Sequence, residues 1–248
     1  MFNKLFKKLK RAINLITKIK LKFIKSLLKG PNHYEKGSIK WLQSTEIYFG
    51  GYHSNLERRK VSKLDPRSKK ELSTGGMIGG DKMLEHSYAH IYSKYLKKFS
   101  FNDELLIVEF GILKGTGLAT FSKLFPNSYI LGLDIDLNHF NSNRAYLESK
   151  GAFEQGKLEL GICDQFTINE NQLSSILGSK KIDICIDDGF HSLETIGNTA
   201  KAIKPFLNKK HCVFFEDNDK SFSTVNEILG DISNVKSYKE ICVASRFL

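Results

Sequence analysis

Leu105-Leu106-Ile107-Val108-Glu109-Phe110-Gly111-Ile112-Leu113-Lys114-Gly115-Thr116-Gly117 is the stretch whose reading decides the fold. An apolar run that closes on glycine predicts a buried strand of a parallel sheet. The glycines let the backbone turn tightly and approach a ligand, and a helix starting near Leu118 offers its free N–H groups to the same place. About 20 residues on, Tyr129-Ile130-Leu131-Gly132-Leu133-Asp134 predicts a second strand ending in acid. An acid at that spacing takes the ribose hydroxyls of a bound nucleotide. The dinucleotide fingerprint is G-x-G-x-x-G, whereas here the pattern is E-x-G-x-x-x-G-x-G with Glu109 inside the strand end.

Downstream, two more apolar runs end abruptly in acid. They are Ile182-Asp183-Ile184-Cys185-Ile186-Asp187-Asp188-Gly189-Phe190-His191 and Cys212-Val213-Phe214-Phe215-Glu216-Asp217. Ligands of parallel sheets bind at the carboxyl ends of strands. Asp187, Asp188, Glu216 and Asp217 are therefore expected at one edge, with His191 just beyond. Carboxylates this close repel unless protons or a cation neutralise them, and a hard divalent ion with oxygen ligands is the economical solution. Asp187 taken alone reads better as a strand-end or helix-capping residue.

The rest of this half alternates in the same way. Strands are expected at Leu105–Phe110, Tyr129–Asp134, Leu158–Ile162, Ile182–Asp187, Cys212–Glu216 and Glu240–Phe247. Helices are expected near 118–125, 140–150, 169–177, 193–205 and 222–229, and before the core at 83–98. Such alternation predicts an α/β chain with a mostly parallel sheet covered on both faces.

This combination resembles the class I S-adenosylmethionine (SAM)-dependent methyltransferases. More narrowly, it is similar to the metal-dependent sugar O-methyltransferases of the mycinamicin and macrocin type. These carry an Asp-Asp-Gly-x-His element and a later Glu-Asp pair, which stand here as Asp187-Asp188-Gly189-Phe190-His191 and Glu216-Asp217. The resemblance covers roughly residues 75 to 248. Phe190 departs from it, since the family usually has a small polar residue there.

The resemblance implies a Rossmann-like sheet whose terminal strand is antiparallel and inserted near an edge. It implies SAM as cofactor, with Glu109, Gly111 and Gly115 shaping the pocket, Asp134 on the ribose, and Asp164 with Gln165 beside the adenine. It implies Mg²⁺ (or Mn²⁺) on Asp188, Glu216 and Asp217, His191 as general base, and Asp187 supporting the site or acting directly. The expected acceptor is a hydroxyl of a sugar or nucleotide-sugar, and Asp81, Lys82, His86 and Tyr88 would lie near cofactor and acceptor.

Charge divides the chain. Residues 1–30 hold nine Lys, one Arg and no acid, while the other 218 hold 28 basic and 27 acidic side chains. A nearly neutral body argues against a nucleic-acid surface spread over it. Residues 2–28 read as a basic amphipathic helix, with Phe2, Leu9, Ile16 and Phe23 repeating every seven residues. Such a helix lies on an anionic membrane surface, or packs its apolar face on the body or on a second subunit of a homo-oligomer. No apolar run approaches the roughly 18 residues needed to span a bilayer. Residues 31–80 read as a linker and an active-site lid, and 81–248 as the catalytic core. Cys163, Cys185, Cys212 and Cys242 form no CxxC pair and read as buried apolar groups in a reducing cytosol, so the expected location is cytoplasmic, peripheral to the inner face of the membrane where residues 1–30 bind it.

Two rival readings follow. A nucleic-acid methyltransferase would need a basic body, and the Asn/Asp-Pro-Pro-aromatic element for exocyclic amines is missing. A membrane-associated binding protein on a degenerate methyltransferase fold would not need the intact acids and His191.

Overall fold

The computed structural model describes residues 22–74, 77–154 and 157–247. Strands β1 (His53–Leu56) and β2 (Met77–Gly79) pair as an antiparallel ribbon. The other strands are β3 (Leu106–Phe110), β4 (Tyr129–Asp134), β5 (Leu158–Ile162), β6 (Ile182–Asp187), β7 (Leu207–Phe215), β8 (Asn234–Tyr238) and β9 (Ile241–Arg246). They form one seven-stranded sheet in the order β5-β4-β3-β6-β7-β9-β8. The first five are parallel, and β9 runs antiparallel between β7 and β8. The expected α/β class, the mostly parallel sheet and the inserted antiparallel strand are all present.

The period of two along each strand sorts the core into two layers. Ile184, Ile186 and Phe214 face one side, where they pack with Leu118 and Phe121 of helix Thr116–Leu124 and with Trp41 and Leu42 of helix Ile39–Tyr48. Cys185, Val213 and Phe215 face the other, against Ile196 and Ala200 of helix Leu193–Ile203 and Val225 of helix Ser221–Leu229. Full burial of each large apolar side chain contributes about 1.5–3 kcal/mol. Buried on both faces, the central strands expose function only at their ends.

Three departures have local causes. The helix expected from Met83 begins at Ala89, because the buried Glu46 carboxylate accepts the Met83 and Leu84 amides, at 2.8 and 3.2 Å, and holds residues 81–88 as a turn. Strand β8 is a short edge strand of mixed exposure, too weakly patterned to read from sequence. The β1–β2 ribbon, polar and glycine-rich, gave no strand signal either.

Most of the basic amphipathic segment, residues 1–21, lies outside the described residues, as do Gly75 and Gly76 of the predicted lid. Residues 22–27 are helical. Leu27 is fully buried, and its carbonyl accepts the Ser44 hydroxyl at 2.6 Å. Phe23, Ile24 and Leu28 remain exposed. Among the described residues, no helix is long and apolar enough to cross a membrane, and all four cysteines are free.

Candidate active site

The carboxyl ends of β3, β4, β5, β6 and β7 open into a cleft of about 1140 Å³. On its β3 side the glycine turn forms as the sequence predicts. Gly111 has φ +79°, and a Cβ there would overlap the Asp188 carbonyl, so this glycine lets the turn after β3 touch the loop after β6. Gly115, also at φ +79°, starts the helix Thr116–Leu124 from the left-handed region. Asp134, at the end of β4, ties this turn down: its Oδ2 accepts the Leu113 amide at 3.0 Å and its Oδ1 the Asp136 amide at 3.1 Å.

Asp164 and Gln165 border the cleft after β5. Asp164 Oδ1 accepts the Phe166 amide and Oδ2 the Ser62 hydroxyl, at 2.9 and 2.6 Å. The Gln165 amide is spent on the loops, donating to Asp187 Oδ1 at 2.7 Å and accepting the Phe190 amide at 3.0 Å. Asp187 is buried, and burial pushes its carboxyl above the ordinary carboxylate range. Its Oδ2 has no hydrogen-bond partner among the described residues.

Asp188, His191 and Asp217 converge. One ligand-type atom from each lies within 4.8 Å of the others. His191 Nε2 is 3.8 Å from Asp188 Oδ1 and 3.9 Å from Asp217 Oδ2. Both His191 (φ +62°) and Asp217 (φ +57°) occupy the left-handed region, which costs roughly 1–2 kcal/mol per non-glycine residue. Neighbouring groups hold them there. Asn218 donates to the His191 carbonyl at 2.7 Å, and the Tyr88 hydroxyl donates to Asp217 Oδ1 at 2.6 Å.

Glu216 stands beside this group but faces inward. Its Oε1 accepts the Tyr92 hydroxyl, and its Oε2 is 3.5 Å from Lys82 Nζ, with no hydrogen-bond partner among the described residues. Burial, together with Asp188 and Asp217, pushes the Glu216 carboxyl well up. Lys82 is buried too, 2.7 Å from Glu109 Oε1 and 3.1 Å from Asp188 Oδ2. Burial alone would lower its ammonium, but Asp188, Glu109 and Glu216 hold it well above the ordinary lysine range. His86 lies 3.5 Å from both Asp81 and Asp217, and the Asp81 bond, assisted by Asp217 against burial, raises it to about 9.

This donor set fits a divalent cation. Hard oxygen and imidazole ligands converge at Asp188, His191 and Asp217, a buried carboxylate oxygen of the adjoining Glu216 lacks a bond, and Glu109, Asp188 and Glu216 crowd around one ammonium. The turn at Gly111, which brings backbone to the cleft wall, fits an extended ligand of nucleoside size.

Residues 57–67 lie across the cleft. Arg59 pairs with Asp136, Ser62 reaches Asp164, and the Arg67 guanidinium sits 4.7 Å from the Phe190 ring centroid. In the sequence this stretch is a charge-dense part of residues 31–80, which read as linker and lid, with nothing to show which of its side chains reach the cleft. Tyr92 and Glu46 had no signal of their own, since an aromatic in an apolar helix and an acid in a short helix read as ordinary positions. Lys82 was legible only through the family resemblance.

No family model matches the sequence, and comparison with curated proteins gives no match. Among solved structures the chain is similar to the MycE methyltransferase from the mycinamycin biosynthetic pathway in complex with Mg and SAH. Identity is 16%, the TM-score is 0.50, and the match covers 64% of this chain and 49% of that one. The same methyltransferase with Mg, SAH and mycinamycin VI gives 18%, 0.49, 64% and 49%. The fibrillarin pre-rRNA processing protein of Methanococcus jannaschii gives 14%, 0.44, 60% and 69%. The chain spans about half the length of MycE. At this identity the likeness is one of fold, and the fold is that of the Rossmann-like methyltransferases.

Proposed function

We propose that the chain is a SAM-dependent O-methyltransferase that acts on a hydroxyl of a sugar, carried on a nucleotide or on a surface glycan, with Mg²⁺ or Mn²⁺. The observation that carries this reading is the convergence of Asp188, His191 and Asp217 at the mouth of the cleft that the glycine turn also lines. The pairing of Asp-Asp-Gly-x-His with Glu-Asp supports the sugar class. The MycE structure holds Mg and SAH, the two ligands that the acids and the glycine turn of this chain would take.

Asp188 and Asp217 would hold the metal, with Glu216 as the third acid behind them. When bound, the ion would lower the acceptor hydroxyl's pKa and orient it, and SAM would supply the methyl group. His191 accepts the acceptor's proton at Nε2, because Nδ1 faces the Glu216 carbonyl at 3.2 Å. Glu109, Gly111 and Gly115 would shape the cofactor pocket, Asp134 would take the ribose and Asp164 would border the adenine, while Gln165, bonded to Asp187, braces the floor. The segment 57–67 covers the cleft and excludes water. The distances from Nε2 to Asp188 and Asp217 favour one variant of this reading, in which His191 is itself a metal ligand.

Residues 1–30 would bring the enzyme to an anionic membrane surface, with packing against a second copy as the competing role. The deciding experiment is a screen of nucleotide-sugars and free saccharides with methyl-labelled SAM, with and without EDTA. Metal-dependent label transfer to a sugar supports the proposal. Transfer to RNA alone, or to nothing while SAM still binds, would sink the sugar assignment.

A further inference from the structure

The Lys82 ammonium reaches three neighbouring strand ends at once: Glu109 on β3 at 2.7 Å, Asp188 after β6 at 3.1 Å, and Glu216 after β7 at 3.5 Å. Its side chain is only 8% exposed. A lysine this deep is kept charged by its partners, and removing one side of such a cluster leaves the other uncompensated. It enters from outside the sheet, on the turn that Glu46 fixes through the Met83 and Leu84 amides. Two of its partners belong to different halves of the cleft. Glu109 stands two residues before Gly111 in the glycine turn, and Asp188 belongs to the acids near His191. Asp188 divides its oxygens, Oδ2 toward Lys82 and Oδ1 toward His191. Glu109 Oε2 has no hydrogen-bond partner among the described residues, so Lys82 is what holds this carboxylate.

We propose that Lys82 is a positioning residue that couples the cofactor turn to the metal-side acids. The proposal rests on the functional reading above, with the cofactor at the glycine turn and the metal at Asp188 and Asp217. A divalent ion drawing on Asp188 weakens Oδ2 as a partner for Lys82. The ammonium then bears more fully on Glu109 and steadies the turn on which the cofactor lies. Metal and cofactor therefore each bind more tightly in the presence of the other, and the linkage is reciprocal.

The test is calorimetric titration of the full chain with S-adenosylhomocysteine, with and without Mn²⁺, in the native protein and in Lys82→Met. In the native protein Mn²⁺ lowers the Kd for S-adenosylhomocysteine about fivefold or more, and in Lys82→Met the effect shrinks below about twofold. Equal coupling in both proteins overturns the proposal, and so does absence of coupling in the native protein. A native protein that binds no S-adenosylhomocysteine at all sinks the cofactor reading itself, an outcome distinct from lost coupling. If Lys82→Met does not fold, Glu109→Gln keeps the lysine and the metal acids. It then loses the coupling, so that Mn²⁺ changes the Kd for S-adenosylhomocysteine by less than about twofold. If the lysine merely stabilised the fold, Lys82→Met would lower the melting temperature and leave the coupling as it was, which overturns the proposal.

Discussion

Nδ1 of His191 lies 3.2 Å from the carbonyl oxygen of Glu216. A carbonyl only accepts, so in the neutral ring Nδ1 carries the proton and Nε2 keeps its lone pair. That lone pair lies on the side of Asp188 and Asp217. The backbone of one proposed metal-side acid thus sets the tautomer of the proposed base.

Replacing His191 with Ala is expected to slow methyl transfer by roughly 10²- to 10⁴-fold, the usual worth of a positioned base. Affinity for S-adenosylhomocysteine should stay within about twofold, since the ring contributes nothing to the glycine turn. Single-turnover kinetics with labelled SAM separates the two. Near-native chemistry in the variant would move the proton transfer to another group.

Metal removal gives a second expectation. EDTA should abolish turnover, and Mg²⁺ or Mn²⁺ should restore it. Asp188→Asn and Asp217→Asn should each weaken Mn²⁺ binding, measured by the paramagnetic resonance of the free ion, by an order of magnitude or so. Full turnover in rigorously metal-free protein would end the metal assignment.

The amino-terminal segment divides at the last turn of its helix. Leu27 is fully buried, so Leu27→Ala should destabilise the fold by about 2–5 kcal/mol in urea unfolding. Removing residues 1–21 spares Leu27 and should leave fold and turnover intact. Full-length protein should sediment with vesicles containing anionic lipid, less so as salt rises, because attraction is screened within about 10 Å at 0.1 M ionic strength. The truncated form should stay in solution. If truncation instead dissociates an oligomer, the apolar row packs on protein and the membrane role falls.

Glu46 gives a pH signature. Burial pushes its carboxyl up to about 8, against the Met83 and Leu84 amides that favour the charged form. The folded protein keeps this proton where the unfolded chain, with its ordinary value of 4.5, has lost it. The stability so contributed is complete below 4.5 and is lost as pH rises toward about 8. Across that window the melting temperature of Glu46→Gln should fall less than that of the native protein. Parallel curves would show that Glu46 titrates normally in the fold.

What could be read in advance follows from how local each determinant is. Tyr129–Asp134 and Ile182–Asp187 fall where the sequence sets them, because a continuous apolar run closing on acid fixes both ends of a buried strand. The acids meet because parallel strands share an end. The Lys82 hub was beyond reach, since its meaning depends on a turn made by Glu46, 36 positions earlier, and on three acids from three strands. The same holds for residues 57–67. Nothing in the sequence pairs their charges, because Arg59 and Ser62 find partners only after β4 and β5 are side by side.

The insertion of β9 between β7 and β8 has a consequence for biogenesis. Until Ile241–Arg246 is made, β8 has no neighbour in the sheet and Cys212-Val213-Phe214-Phe215 presents an unpaired apolar edge. Such an edge is a template for aggregation. A nascent chain halted before residue 241 should therefore recruit chaperones or self-associate, even though its five parallel strands are already complete.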